Sequence, residues 1–160
     1  MDLVTRRKVL DVLASHRIMT VATNRPDGWP QATTVGYASD GLTLYFFCAV
    51  DSQKAANIAR DDRISLTIDS DKSDPMAIRG VSMGARACVV NDRAEVAKAI
   101  NLLLQKYPEY KAMSPDMSAM RLMRITPELI SLLDYSKGFG HTDLIKVEAT
   151  DLPLRPEEAA

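Results

Sequence analysis

Histidine and cysteine are scarce in this sequence, and their scarcity excludes several kinds of site. His16 and His141 are the two histidines, and because neither has a companion at ligand spacing, a dedicated zinc site is not expected. The two cysteines, Cys48 and Cys88, form no CxxC pair and both fall in predicted strands. We therefore expect buried free thiols in a reducing cytoplasm, with a disulfide between them left open.

The sequence also lacks a long apolar run and an excess of charge of either sign. The formal net charge is -1, so no bulk basic field attracts nucleic acid or an anionic membrane. No apolar stretch approaches the roughly 20 residues of a membrane span, and the charged N-terminus has no apolar core of a signal peptide. These features predict a cytoplasmic protein that binds neither nucleic acid nor membrane.

The composition that remains is that of an ordinary globular protein. Hydrophobic residues make up 46% and charged residues 26% of the 160 positions, which suits one domain. We expect this domain to span residues 1–150, followed by a flexible tail at 151–160 that is rich in Pro and Glu.

Apolar periodicity and turn residues predict a mainly β protein with flanking helices. The expected strands are 17–23, 30–38, 42–49, 64–69, 76–90, 121–126, 129–135 and 143–148, and the expected helices are 4–15, 52–60 and 94–107. Pro127 is expected to separate two strands, and Gly80 and Gly84 to mark bulges or corners. Six to eight strands joined by tight Asp-Gly turns, with about three helices, favour an antiparallel barrel over a parallel α/β sheet.

The segment 40–60 is the first candidate for a ligand site. It reads as a turn, an apolar strand, a loop and a helix, with Ser52 at the helix N-cap and Lys54 in the first turn. A helix start with unpaired N–H groups, a hydroxyl and an ammonium is a plausible seat for a phosphate. Ordinary helix capping beside a solvated lysine is the alternative, and local chemistry alone favours it.

The strand at 30–38 carries small residues on one face. Ala32, Thr34, Gly36 and Ala38 alternate along it, and such a face allows a flat ligand to approach the backbone closely. A packed helix or strand explains the same pattern, and on packing grounds it is the more common outcome.

Three segments in order resemble a known family. The segments P-Q-A-T-T-V-G-Y, D-G-L-T-L-Y-F-F and S-Q-K-A-A-N-I-A-R-D-D-R-I-S-L are similar to the pyridoxamine 5'-phosphate oxidase-like family, the FMN-binding split β-barrels. The resemblance covers residues 5–92 and, more weakly, the rest. It implies an antiparallel split β-barrel that forms a homodimer with FMN at the subunit interface.

The resemblance also implies roles for eight positions. Thr33, Thr34 and Val35 would lie against the flavin ring, Phe47 and Cys48 would flank the phosphate entrance, and Ser52, Gln53 and Lys54 would hold the phosphate. Thr33 and Gln53 stand where family members often carry Arg, which suggests weaker phosphate binding. The Arg-x-His motif that grips substrate in true pyridoxamine phosphate oxidases is absent, which argues against that activity.

The loop at 137–142 is a further candidate. Gly138 and Gly140 flank Phe139, and His141 follows them. In the dimer that the resemblance implies, Phe139 and His141 would reach the second subunit's flavin. His141 is the catalytic candidate, because it can donate a hydrogen bond or a proton near the ring. A surface turn whose aromatic residue plugs the barrel end explains the loop equally well.

Two classes of function follow from these residues and the resemblance. The first is an FMN-dependent oxidoreductase acting on an unidentified small molecule with an unidentified electron donor. The second is a carrier that binds flavin, deazaflavin or haem without turnover. The near-neutral charge speaks against a DNA-associated role.

Overall fold

The structure is a computed structural model that describes residues 1–113 and 116–153. Within these residues lie eight strands and four α-helices. The strands are β1 (Ile18–Asn24), β2 (Pro30–Gly36), β3 (Ala38–Asp40), β4 (Thr43–Ala49), β5 (Arg63–Ile68), β6 (Arg79–Val89), β7 (Met120–Asp134) and β8 (Thr142–Lys146). The helices are α1 (Leu3–Ser15), α2 (Gln53–Arg60), α3 (Arg93–Lys106) and α4 (Tyr110–Met113). The predicted mainly β class with flanking helices is confirmed.

All strands pair antiparallel in one sheet, whose order is β2-β1-β5-β6-β7-β4-β3. The two ends of this order, β2 and β3, are separated in the chain by Tyr37 alone. The sheet must therefore curl until its ends meet, and the result is the predicted split β-barrel. A single strand was expected at 30–38, but the chain changes strand at Tyr37, which is fully buried and whose hydroxyl donates to the Leu13 carbonyl at 2.8 Å.

Strand β7 organises the sheet because two strands share one of its edges. Its first half pairs with β4, from Leu44↔Ile125 to Ala49↔Met120, and its second half pairs with β8. The prediction that Pro127 separates two strands is wrong, since β7 runs through it. Pro127 lies opposite Ala85, next to a register shift between Gly84 and Ala85 in β6, where a missing ladder donor is tolerated.

Two of the predicted turns depend on glycine. Gly28 and Gly41 have φ of 86° and 56°, a region that side chains other than glycine rarely occupy. The Asp-Gly pairs therefore lie at the turns that connect β1 to β2 and β3 to β4, as the sequence predicts.

The core fills the barrel, and a smaller cluster lies outside it. Apolar residues of α1 plug one side, with Val9 and Leu13 fully buried, as the periodicity of the helix predicts. Helix α3 packs on the outer face of the sheet, where Ala99 and Leu103 meet Tyr45 and Leu122. The outer face of β4 is therefore covered by a helix.

Beyond residue 150 the chain still packs against the barrel. The Asp151 carboxylate is buried and accepts a hydrogen bond from the Met1 amino group at 2.9 Å. The rest of the predicted tail, residues 154–160, lies outside the described residues. Within the described part of the chain, every helix is too short or too polar to cross a membrane.

Candidate functional site

The start of α2 is capped as the sequence predicts. The Ser52 hydroxyl accepts a hydrogen bond from the Ala55 N–H at 3.3 Å and donates to the Ala49 carbonyl at 2.8 Å. The capping role is therefore real. It leaves the first-turn N–H groups of Gln53 and Lys54 without partners inside the helix, which suits an anion.

Two cations converge near this helix start. Arg121, at the beginning of β7, pairs with Cys48 of β4 across the sheet. The charges on Lys54 and Arg121 both act to lower the pKa of the Cys48 thiol. Neither cation forms a salt bridge or hydrogen bond with another residue between 1 and 113 or 116 and 153. Arg121 is not predicted from local sequence, because only the pairing of β4 with β7 brings it to this position.

Cys48 is the buried side chain at the centre of this group. Burial raises the pKa of its thiol, while the Ser52 hydroxyl and the charges on Lys54 and Arg121 act in the opposite direction. The thiol is therefore a packing group of the barrel core whose pKa the two nearby cations lower only in part. The expectation of two buried thiols is half wrong, since both cysteines are free but Cys88 is exposed.

Gln53 belongs to a polar network that joins α2 to the first hairpin. Its amide donates to Asn57 at 2.9 Å, and the buried Asn57 donates to Thr23 at 2.9 Å and to Gln31 at 3.2 Å. In this arrangement Gln53 positions the helix start on β1 and β2.

The predicted ring-contacting residues alternate along β2. Thr34 is exposed, while Thr33 and Val35 point to the barrel side and are partly buried. The hydroxyl oxygen of Thr33 is buried and has no hydrogen-bond partner among the described residues. Since buried polar atoms are nearly always satisfied, this oxygen is an open position for a further donor or acceptor.

The small-residue face of β2 is covered at one end and open at the other. A Cβ on Gly36 would lie 2.9 Å from the Tyr110 hydroxyl and 3.0 Å from the Tyr107 hydroxyl, so two tyrosines pack there. Ala32 and Thr34 remain exposed. Each of the two alternatives raised by the sequence therefore describes part of β2: the end at Gly36 is packed, and the part at Ala32 and Thr34 is open to a ligand.

An apolar cavity of about 420 Å³ adjoins the covered end. Val35 and Phe47 form its sheet side, and Leu104 of α3 forms another wall. Three methionines complete it, namely Met113, Met117 and Met120. We call this space the methionine cavity. It brings Val35 of β2 and Phe47 of β4 to one place, although they are on different strands.

The predicted catalytic histidine lies elsewhere in the chain. His141 follows the far end of β7, whose 15 residues span about 45 Å at the usual rise of a strand. Its Nε2 lies 3.1 Å from the Asp143 carboxylate and 3.4 Å from the Lys137 ammonium. Phe139 is 80% exposed, so the alternative in which it plugs the barrel end is wrong.

The structure thus gathers most predicted residues at one end of the barrel. Phe47, Cys48, Ser52 and Lys54 follow one another from the end of β4 into α2, while His141 is remote from them in the same chain. Among the described residues there is no group of three His, Cys, Asp or Glu side chains placed to hold a metal ion.

Comparison with known structures places the fold among solved proteins. A haem-binding protein from Mycobacterium smegmatis matches with a TM-score of 0.78 and 23% identity, over 91% of this chain and 59% of that one. A conserved hypothetical protein from Mycobacterium tuberculosis matches with a TM-score of 0.72 and 26% identity, over 94% of each chain. An FAD-binding protein from Mesorhizobium loti matches with a TM-score of 0.63 and 18% identity, over 81% of this chain and 92% of that one.

Comparison of the sequence itself identifies the family. No curated protein matches the chain. The family model for pyridoxamine 5'-phosphate oxidase, however, matches residues 5–134, which include β1 to β7 and all the predicted flavin-contacting positions. The chain therefore belongs to the pyridoxamine 5'-phosphate oxidase family.

Proposed function

We propose that this protein binds FMN and acts as an FMN-dependent oxidoreductase on a small molecule, as a cytoplasmic homodimer with the flavin at the subunit interface. The observation that carries the proposal is the pair of cations, Lys54 and Arg121, that lies beside the start of α2 without a partner in the described part of the chain.

The phosphate end of FMN fits this pair by charge. A phosphate monoester carries about two negative charges near pH 7, and charge-assisted hydrogen bonds to Lys and Arg are among the stronger polar contacts in proteins. The first-turn N–H groups of α2 add donors. Arg121 supplies the second cation that Gln53, standing where relatives carry Arg, does not.

The ring end of FMN fits the residues of β2. The exposed Ala32 and Thr34 leave room beside the strand, so that a flat ring can approach its backbone on that face. When bound, the flavin supplies electron transfer, and the protein positions it and the substrate. Because the Arg-x-His motif is absent, pyridoxamine phosphate is not proposed as the substrate.

Haem binding is the alternative that the Mycobacterium smegmatis relative raises. A haem iron needs an axial ligand such as His, Cys or Met. Within one chain, His141 contacts Asp143 and Lys137 and His16 lies 2.8 Å from the Val12 carbonyl. Neither imidazole is therefore beside the two cations of its own chain, which favours flavin over a haem ligated by a histidine of the same chain.

An absorbance titration of the purified protein tests the proposal. We expect added FMN to bind with quenched fluorescence and shifted flavin bands, and a nicotinamide nucleotide to reduce the bound flavin faster than free FMN. Reduction of the bound flavin no faster than that of free FMN would indicate a flavin carrier instead of an oxidoreductase. A haem Soret band with no flavin binding would replace FMN by haem.

A further inference from the structure

The methionine cavity has walls of one chemical kind. Its described lining contains no charged side chain and is built from aliphatic, aromatic and thioether groups. Its volume of about 420 Å³ falls in the range of about 300–1,000 Å³ that is usual for small-molecule pockets. Methionine side chains adapt their shape to irregular apolar ligands, so the cavity suits an apolar molecule of modest size.

The described lining of the cavity contains one polar side chain, that of Tyr110. Its ring stacks on that of Tyr107 with ring centroids 4.7 Å apart. The Tyr107 hydroxyl is already bonded, to the Arg17 carbonyl and the Tyr37 N–H. The Tyr110 hydroxyl makes no hydrogen bond with any other described residue. It is therefore a donor available to a ligand.

We propose that the methionine cavity binds an uncharged, mainly apolar ring compound whose carbonyl oxygen accepts a hydrogen bond from Tyr110. Val35 and Phe47 border both the cavity and the proposed flavin position, so such a compound would lie beside the flavin as its substrate. That role as substrate rests on the proposed function, whereas the chemistry of the ligand rests on the cavity walls alone.

The walls fit this ligand better than they fit the flavin itself. The pyrimidine edge of a flavin carries two carbonyl groups and an N–H, and one hydroxyl in an apolar cavity leaves most of them without partners, which is costly. The exposed half of β2 lies outside the cavity and is open to solvent, where those groups need not be buried without partners. The absence of a charged side chain from the described lining likewise disfavours a phosphorylated or carboxylated substrate.

Three naphthalenes of similar shape test the proposal in solution. They are 2-acetylnaphthalene, which has the carbonyl, 2-ethylnaphthalene, which lacks it, and 2-naphthoate, which is charged. Binding is followed by the methyl NMR signals of the full chain labelled at methionine. We expect 2-acetylnaphthalene to bind tightest, 2-ethylnaphthalene more weakly and 2-naphthoate not at all.

The methionine signals also locate the ligand. Those of Met113, Met117 and Met120 should shift, while the signals of Met19 and Met83, which lie in the barrel core, should not. No shift of the three cavity signals up to the solubility limit of 2-acetylnaphthalene, or equal binding of all three naphthalenes, would overturn the proposal.

Two variants with matched controls identify the contacts. Tyr110→Phe should weaken the binding of 2-acetylnaphthalene by about 3- to 10-fold, the usual effect of one neutral hydrogen bond, and leave the affinity for 2-ethylnaphthalene unchanged. The control Tyr135→Phe, in the distant loop between β7 and β8, should change neither affinity. Leu104→Trp should fill the cavity and abolish binding, whereas Leu144→Trp, at a position 68% exposed on β8, should not. Equal affinity of Tyr110→Phe and the parent for 2-acetylnaphthalene would remove the hydrogen bond from the proposal.

Adding FMN separates this proposal from the proposed function. We expect saturating FMN to leave the methyl shifts caused by 2-acetylnaphthalene in place. If FMN displaces the compound, the cavity is part of the flavin site and the proposal fails. If the protein takes up 2-acetylnaphthalene but no FMN, the ligand chemistry of the cavity stands and the proposed function fails.

Discussion

The two cations beside α2 set the expected affinity for FMN. Replacing Lys54 or Arg121 by Ala should each weaken FMN binding by about 1–3 kcal/mol, the scale of a charge-assisted hydrogen bond, as measured by quenching of flavin fluorescence. Lys146→Ala is the matched control, because Lys146 lies on β8 and pairs with Glu148 at 3.4 Å. Parent-like affinity in both cation variants would place the phosphate elsewhere.

Ser52 is expected to act more on folding than on binding. Its hydroxyl caps α2 through Ala55, so Ser52→Ala should lower the free energy of unfolding by about 1 kcal/mol. Urea denaturation measures this value. The loss of FMN affinity should be smaller than for Lys54→Ala, since the Ser52 donor is already engaged with Ala49. A larger loss would mean that the hydroxyl turns to the phosphate.

The ionisation of Lys106 should make the stability of the protein depend on pH. Burial, with a smaller contribution from Arg17, lowers the pKa of its ammonium from 10.5 to about 8, and the ammonium lies 3.7 Å from the Tyr37 ring centroid. Between these two pKa values the unfolded chain binds more protons, so this group makes the free energy of unfolding rise with pH. Urea midpoints from about pH 7 to about pH 9.5 should therefore rise less in Lys106→Met than in the parent. Parallel curves would show that the Tyr37 ring and the Leu13 carbonyl, to which the ammonium donates at 3.0 Å, offset the effect of burial.

Local signals predicted Ser52 well and did not predict Arg121. An N-cap serine is defined by the few residues that follow it. Arg121 reaches the site because β7 pairs with β4, and the pairing of strands so far apart in the chain is set by the whole sheet. The same reasoning applies to the Tyr110 hydroxyl, which has no hydrogen-bond partner among the described residues because of where α4 packs.

The two glycines of strand β6 differ in how closely other atoms approach them. A Cβ at Gly80 would lie 2.7 Å from the Ile68 carbonyl oxygen, whereas at Gly84 the nearest atom is 3.9 Å away. Gly80→Ala should therefore lower the free energy of unfolding by about 1–3 kcal/mol, as overpacking usually does, and Gly84→Ala should change it little. Denaturant curves of the two variants, side by side, check this, and equal effects would contradict the close approach.

Strands and helices with clear periodicity were predicted close to their observed bounds. Helix α3 and strand β5 are examples, because one apolar face decides each of them. Pro127 misled the prediction, since its effect depends on what lies across the ladder. Opposite a bulge, the proline removes no hydrogen bond that the sheet needs.

The proposed dimer makes the first prediction about the assembly. Sedimentation at micromolar concentration should give twice the 17.6 kDa of one chain, because the family resemblance implies two subunits around each flavin. A monomer with FMN bound would contradict the interface location of the flavin.

Mixed dimers test whether His141 acts on the partner's flavin. Within one chain His141 and Ser52 lie toward opposite ends of β7, so a shared site requires two chains. Co-expressed Lys54→Ala and His141→Ala chains should form dimers in which one site is intact and the other carries both defects. The rate of flavin reduction by the isolated mixed dimer should then recover toward half of the parent rate, and no recovery would place His141 outside the site.

Tyr37 has a consequence for insertion and engineering. Because this single residue joins the first and last strands of the curled sheet, the connection has no slack. Lengthening it by a few glycines would leave every hairpin intact yet let the two edges drift apart, exposing unpaired strand backbone. Sequence length should therefore be far less variable at this position than in the loop between β7 and β8.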